Sequence, residues 1–196
     1  MKSEKTSSSS FLRGLDLPFM NLQIRTATNQ DIPALEDLIS NSVRNLSKEH
    51  YTEQQIEGAL IYIFGVDTQL IADETFYVAE TAGLIVGCGG WSKRKTLFGG
   101  DQAKAGEDST LDPEVEPARI RAFFVHPAWA RRGVGTLILN ACEEAAIKAG
   151  FSELELVATL PGEPFYISFG YEVVARFEIA LAGEDVLPAV RMKKSL

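Results

Sequence analysis

From Leu22 to Ala27 the side chains alternate between apolar and polar, and this period of two predicts a half-buried strand. Behind it, Asn29-Gln30-Asp31-Ile32-Pro33 reads as a helix start with an acid and a proline in the first turn. Leu35, Leu38, Ile39 and Val43 then recur at helical spacing. Thr52 and Gln55 form a capping-box pattern ahead of Ile56, Ala59, Leu60 and Ile63, which predicts a second helix. The runs Thr75 to Glu80 and Leu84 to Trp91 flank the short Ala82-Gly83 connection and should pair as a hairpin, with Gly89 and Gly90 marking a bulge. From Lys95 to Pro117 apolar periodicity stops. This long stretch of Gly, Asp, Glu, Pro and Ser is a loop that is either functional or mobile.

Patterning resumes with Arg119 to Val125, whose β-branched and aromatic content predicts the central strand. His126-Pro127 closes it, and beyond a glycine turn Leu137, Ile138, Ala141, Cys142 and Ala145 repeat at helical intervals until Gly150 supplies a stop. Phe151 to Ala158 reads as a strand and Glu163 to Phe169 as a short helix ending at Gly170. Tyr171 to Ala182 and Leu187 to Met192 are two last strands around Gly183-Glu184-Asp185. The order βααβββαβαββ predicts an α/β fold, a mixed sheet covered by helices. Residues 21–196 form one domain of ordinary size, behind a tail, 1–20, polar and Ser-rich to Ser10 and mixed from Phe11 to Met20, that is expected to be disordered.

Charge and composition narrow the function classes. With 27 acidic against 19 basic side chains the net charge is -8, which argues against a nucleic-acid partner. The longest apolar runs fall far short of the roughly 20 residues of a membrane helix. The first ten residues lack the apolar core of a signal peptide, so the expected location is the cytoplasm. Cys88 and Cys142 have no metal-knuckle spacing and read as buried apolar thiols, and His50 and His126 are too scattered for a zinc site. No metal is expected.

The segment Arg131-Arg132-Gly133-Val134-Gly135-Thr136 lies between a strand and a helix. Glycines there admit close approach, the first-turn N–H groups of the helix have no internal partners, and two arginines add positive charge: an anion site, with phosphate as the natural anion. It lacks the G-K-[ST] ending of a Walker loop and the third glycine of a dinucleotide fingerprint. Val125-His126-Pro127, Ala130-Arg131-Arg132-Gly133-Val134-Gly135 and Pro164-Phe165-Tyr166-Ile167-Ser168-Phe169-Gly170-Tyr171 together resemble the GNAT (GCN5-related) N-acetyltransferases. That family carries V-H-P at a strand end, then [QR]-x-x-G-x-[GA], then F-Y-x-x-x-G-[FY] about thirty residues on. The likeness covers Asn21 to the C-terminus, with one departure: Ala130 stands where the family has Gln or Arg.

The resemblance implies a mostly antiparallel sheet with helices on both faces and acetyl-CoA as co-substrate. The amides of Arg131, Arg132, Gly133, Val134, Gly135 and Thr136 would hold its pyrophosphate. The backbone of Phe124 and Val125 would pair with the pantetheine arm, and Tyr166 would act as general acid toward the departing thiolate. The amine must lose a proton, and Glu116 and Glu163 are the candidate bases, while His126, ahead of a proline, is expected to cap a turn. Arg119 and Arg121, two apart, should share a strand face with Phe123 and Val125 and need a carboxylate, either on an anionic acceptor or from the 95–117 loop. Trp91 lines the acceptor pocket or sits in the core. No acyl-accepting nucleophile stands beside the motifs, so direct transfer to a primary amine of a small molecule or peptide, in a ternary complex, is the expected reaction. A non-catalytic acyl-CoA sensor and a larger acyl group are the alternatives, and a homodimer stays open.

Overall fold

The computed structural model describes residues 22–104 and 108–196, so the 1–20 tail lies outside the described residues. Elements follow in the order β1 (Gln23–Thr26), α1 (Ile32–Leu46), α2 (Glu53–Tyr62), α3 (Thr68–Ala72), β2 (Phe76–Thr81), β3 (Leu84–Ser92), β4 (Ala118–Val125), α4 (Val134–Lys148), β5 (Glu153–Thr159), α5 (Glu163–Ser168), β6 (Glu172–Ala180) and β7 (Val186–Ser195). The capping box forms as the sequence requires: Thr52 Oγ1 accepts the Gln55 N–H at 3.2 Å, and Gln55 Oε1 accepts the Thr52 N–H at 3.0 Å. Helix α3 is an addition to the predicted order. Its five residues are too few to display a helical period, and Asp67 starts it by accepting the Gln69 N–H at 3.1 Å.

One seven-stranded sheet runs in the order β1-β2-β3-β4-β5-β7-β6, with β4 in the middle. Every adjacent pair is antiparallel except β4–β5, which is parallel and meets only at Ala118 opposite Leu154 and Arg119 opposite Glu155. Past Arg119 the two strands diverge, and the sheet opens into a wedge. Helices α1 to α3 bury Leu35, Leu38, Ile39, Ile56, Ala59 and Leu70 against one face, over Phe76 and Val78. Helix α4 buries Val134, Ile138, Leu139, Cys142 and Ala146 against the other, over Leu154, Leu156 and Met192. The fold is thus the expected α/β sandwich with helices on both faces.

The expectation that Arg119 and Arg121 share a face with Phe123 and Val125 is corrected by a bulge in β4. Cys88 pairs with Phe124 but Gly90 pairs with Arg121, so the single residue Gly89 faces both Ala122 and Phe123. Ala122 takes a left-handed φ of 55° and re-phases the strand. Beyond it Phe123 and Val125 pack into the α4 layer with Ile120, while Ala122 and Phe124 pack into the α1–α3 layer. Glycine is required at 89, because a Cβ there would lie 2.6 Å from the Phe123 ring.

The entry to α1 carries a pH-sensitive tie. Asp31 receives two hydrogen bonds of 2.8 Å from Arg25 and one of 2.7 Å from the Thr28 N–H. These bonds, led by those from Arg25, hold its carboxyl at about 2. The stabilisation is fully present above the ordinary carboxylate value and is lost as the pH falls from about 4 toward 2. In acid titration of unfolding stability, Asp31→Asn should flatten the slope across that interval and leave the curve above pH 5 parallel to that of the parent protein.

Candidate functional site

The wedge between β4 and β5 holds a cavity of about 840 Å3, lined by β4 from Ile120 to Val125, by Val157 to Thr159 of β5, by α1, by the start of α4 and by α5. The turn entering α4 is built from the chain upward. His126 Nδ1 accepts the Ala128 N–H at 3.2 Å, which caps a short 3-10 turn over Pro127–Trp129. Arg131 then takes φ 63° and Gly133 φ 84°. A left-handed residue with a side chain costs roughly 1–2 kcal/mol, and at Gly133 the chain avoids this. Helix α4 has no side-chain cap and no acid in its first turn, so the N–H groups of Val134, Gly135 and Thr136 have no acceptor within the helix. Arg131, Gly133, Val134, Gly135 and Thr136 all line the cavity. The Arg132 guanidinium stands 5.6 Å over the Trp129 ring, bracing the turn from outside that lining.

Tyr166 lines the same cavity, its ring held edge-on by Phe123 at 6.2 Å, Phe165 at 5.2 Å and Tyr171 at 5.5 Å. Burial raises its phenol well above the ordinary tyrosine value, so it is a neutral donor at physiological pH. Phe124 and Val125 also line the opening. The Val125 N–H donates to Ser42 Oγ of α1 at 3.3 Å.

Other candidates lie elsewhere. Glu116 accepts the Asp112 N–H at 2.9 Å in the turn before β4, at the closed end of the wedge, and Glu163 is engaged by Arg176 at 2.5 Å. Neither lines the cavity. Trp91 packs in the α4-side core with Phe151, ring centroids 6.0 Å apart. The carboxylates that answer the β4 arginines come from outside the 95–117 loop. Arg119 pairs with Glu155 on β5, which also takes Arg191 at 2.6 Å. Arg121, which does line the cavity, donates to Asp67 Oδ2 at 2.8 Å and to Thr96 O at 2.9 Å, with a further bond to Gly99 O. Lys104 joins it on Asp67. This clamp ties residues 96–100 over one side of the cavity.

Among the lining residues that belong to no motif are Ser42 and His50. Ser42 is a buried hydroxyl between the apolar positions Ile39 and Val43 of α1, and that interruption of an apolar stripe is the signal that could have found it. His50 stands exposed at the mouth. Among the described residues no group of three or more His, Cys, Asp and Glu could hold a metal, and no helix is long and apolar enough to cross a membrane.

An uncapped helix start, the opening of a split sheet and a buried phenol thus share one cavity. The acetyltransferase (GNAT) domain model matches residues 72–173, and the chain belongs to this family. An acetyltransferase of Stachybotrys chartarum is 32% identical over 85 residues, covering 41% of this chain; the match spans about a third, 34%, of that protein's length. Among solved structures, the GCN5-related N-acetyltransferase from Rhodopseudomonas palustris superposes with a TM-score of 0.64 at 22% identity, covering 90% of this chain and 98% of its own. The PaiA N-acetyltransferase of Thermoplasma acidophilum in complex with coenzyme A gives 0.61 at 15% identity, over 90% and 100%. The yncA protein of Salmonella typhimurium with its cofactor acetyl-CoA gives 0.60 at 18%, over 90% and 94%. At these identities the structural likeness establishes the fold.

Proposed function

We propose that this chain transfers the acetyl group of acetyl-CoA to a primary amine, directly, within a ternary complex. The observation that carries the reading is the convergence on one cavity of the uncapped first-turn amides of Val134, Gly135 and Thr136, the open edge of β4 and the Tyr166 phenol. The amides suit a pyrophosphate, with Arg131 and Arg132 adding charge beside it. The Val125 N–H can exchange its 3.3 Å bond to Ser42 for a pantetheine carbonyl.

In the reaction the amine lone pair attacks the thioester carbonyl carbon. The new C–N bond forms and the C–S bond breaks; the departing sulfur takes the Tyr166 proton, the amine proton leaves to water, and solvent returns a proton to Tyr166. Cys142 is buried, with its thiol raised far above the ordinary value, and Cys88 is pushed up to about 12 by burial, so neither suits an acyl-enzyme step. Those two unpaired thiols also favour the cytoplasm. The transferase unit is taken as residues 21–196.

Calorimetric titration with acetyl-CoA should give micromolar to millimolar binding, and Gly133→Val should weaken it about tenfold or more by straining the turn and crowding the amides. Heat-free titrations across that range would sink the reading. A second reading, an acyl-CoA sensor without turnover, draws on Ala130 and on a lining that holds no carboxylate among the described residues. Binding of acetyl-CoA without release of free thiol over an amine panel would select it.

A further inference from the structure

The two faces of the wedge differ in chemistry. On the α4 side lie the turn and Tyr166. On the α1–α3 side the lining comes from Phe64, Phe98, Phe124, Ile179 and Leu187, with Phe64 edge-on to Phe124 at 5.8 Å. The side chains on the cavity wall that can carry charge, among the described residues, are His50, Arg121, Arg131 and Tyr166, and none is a carboxylate. The Arg121 guanidinium is committed to Asp67, Thr96 and Gly99, and it fixes the segment that presents Phe98. An ammonium entering this half would lose water, meet no counter-charge among the described lining and approach a cation. An uncharged aromatic ring would meet aromatic edges and aliphatic surface.

Resting on the transfer reading above, we infer that the acceptor is an aromatic amine whose nitrogen is bonded to the ring and is uncharged at neutral pH. Such a nitrogen holds its lone pair free without a protein base, which accounts for a cavity with a phenol donor and no carboxylate among its described lining. The proton released after attack passes from the tetrahedral adduct to water at the mouth, where His50 stands. The ring lies against Phe64, Phe98 and Phe124, opposite the Tyr166 side of the wedge.

The test compares initial rates at pH 7 and saturating acetyl-CoA for 4-methoxyaniline, 2-phenylethylamine, spermidine and a lysine-containing peptide, with thiol release as the readout. The arylamine should exceed each of the three ammonium acceptors in kcat/KM by about tenfold or more. Phe98→Ala should raise the arylamine KM by about tenfold while leaving acetyl-CoA binding by calorimetry unchanged. A higher kcat/KM for any ammonium acceptor, or an arylamine KM indifferent to Phe98→Ala with transfer intact, overturns this inference alone. Acetyl-CoA binding with no transfer to any of the four selects the sensor reading and overturns both. Absence of acetyl-CoA binding overturns the transfer reading, and this one with it.

Discussion

Replacing Tyr166 by phenylalanine is expected to lower kcat for acetyl transfer by about 10²- to 10⁴-fold, the span general acids supply, with the dissociation constant of acetyl-CoA unchanged. The variant keeps the ring and so keeps its contacts with Phe123, Phe165 and Tyr171. What it removes is the phenol O–H, the donor proposed for the departing sulfur, whose pKa burial holds above the ordinary tyrosine value. A loss confined to kcat separates this role from a packing role, which would move binding and thermal stability together. Single-turnover thiol release and calorimetry on the same preparation decide it: rates within a few-fold of the parent protein would remove Tyr166 from the chemistry.

The largest stability effect is expected at Asp67. Its side chain and that of Arg121 are each 1% exposed, and Lys104 shares the carboxylate. Asp67→Asn leaves a buried guanidinium and an ammonium facing a neutral amide, and losing one partner of a buried pair costs about 3–5 kcal/mol. The double change Asp67→Asn with Arg121→Met removes the stranded charge and should recover a good part of that loss. Urea denaturation measures both. A double variant no more stable than Asp67→Asn would show that the cost comes from lost hydrogen bonds in the 96–100 segment.

Most of the fold was legible because its signals are local. Thr52 with Gln55, the Ala82-Gly83 hairpin and the Gly150 stop each act within a few residues of themselves, and all operate as expected. The turn at Arg131 to Thr136 was legible for the same reason, since glycine content and position between strand and helix define it. What escaped depends on distance along the chain. Asp67 meets Arg121 across 54 residues and Glu155 meets Arg119 across 36, so the arginines announced a need for carboxylates and not which would answer. Helix α3 was too short for periodicity. The bulge announced by Gly89 and Gly90 lies in the β3–β4 pairing and not in the β2–β3 hairpin, with its extra residue on β4, so alternation counted along β4 alone put Phe123 on the wrong face. Glu116 drew attention by its nearness in sequence to the central strand, yet a strand has two ends, and the wedge opens at the other one.

The β4–β5 junction has one more consequence. With only two residue pairs joining them, the strands on either side form half-sheets held together at a corner by Glu155 and its two arginines. A ligand that lies along the wedge bridges both halves in the folded chain and has nothing to bridge in the unfolded one. By mass action it adds RT ln(1 + [L]/Kd) to folding stability, about 2.7 kcal/mol at a hundredfold excess over Kd. Resistance of the two halves to unfolding would therefore rise with the concentration of a ligand bound along this seam.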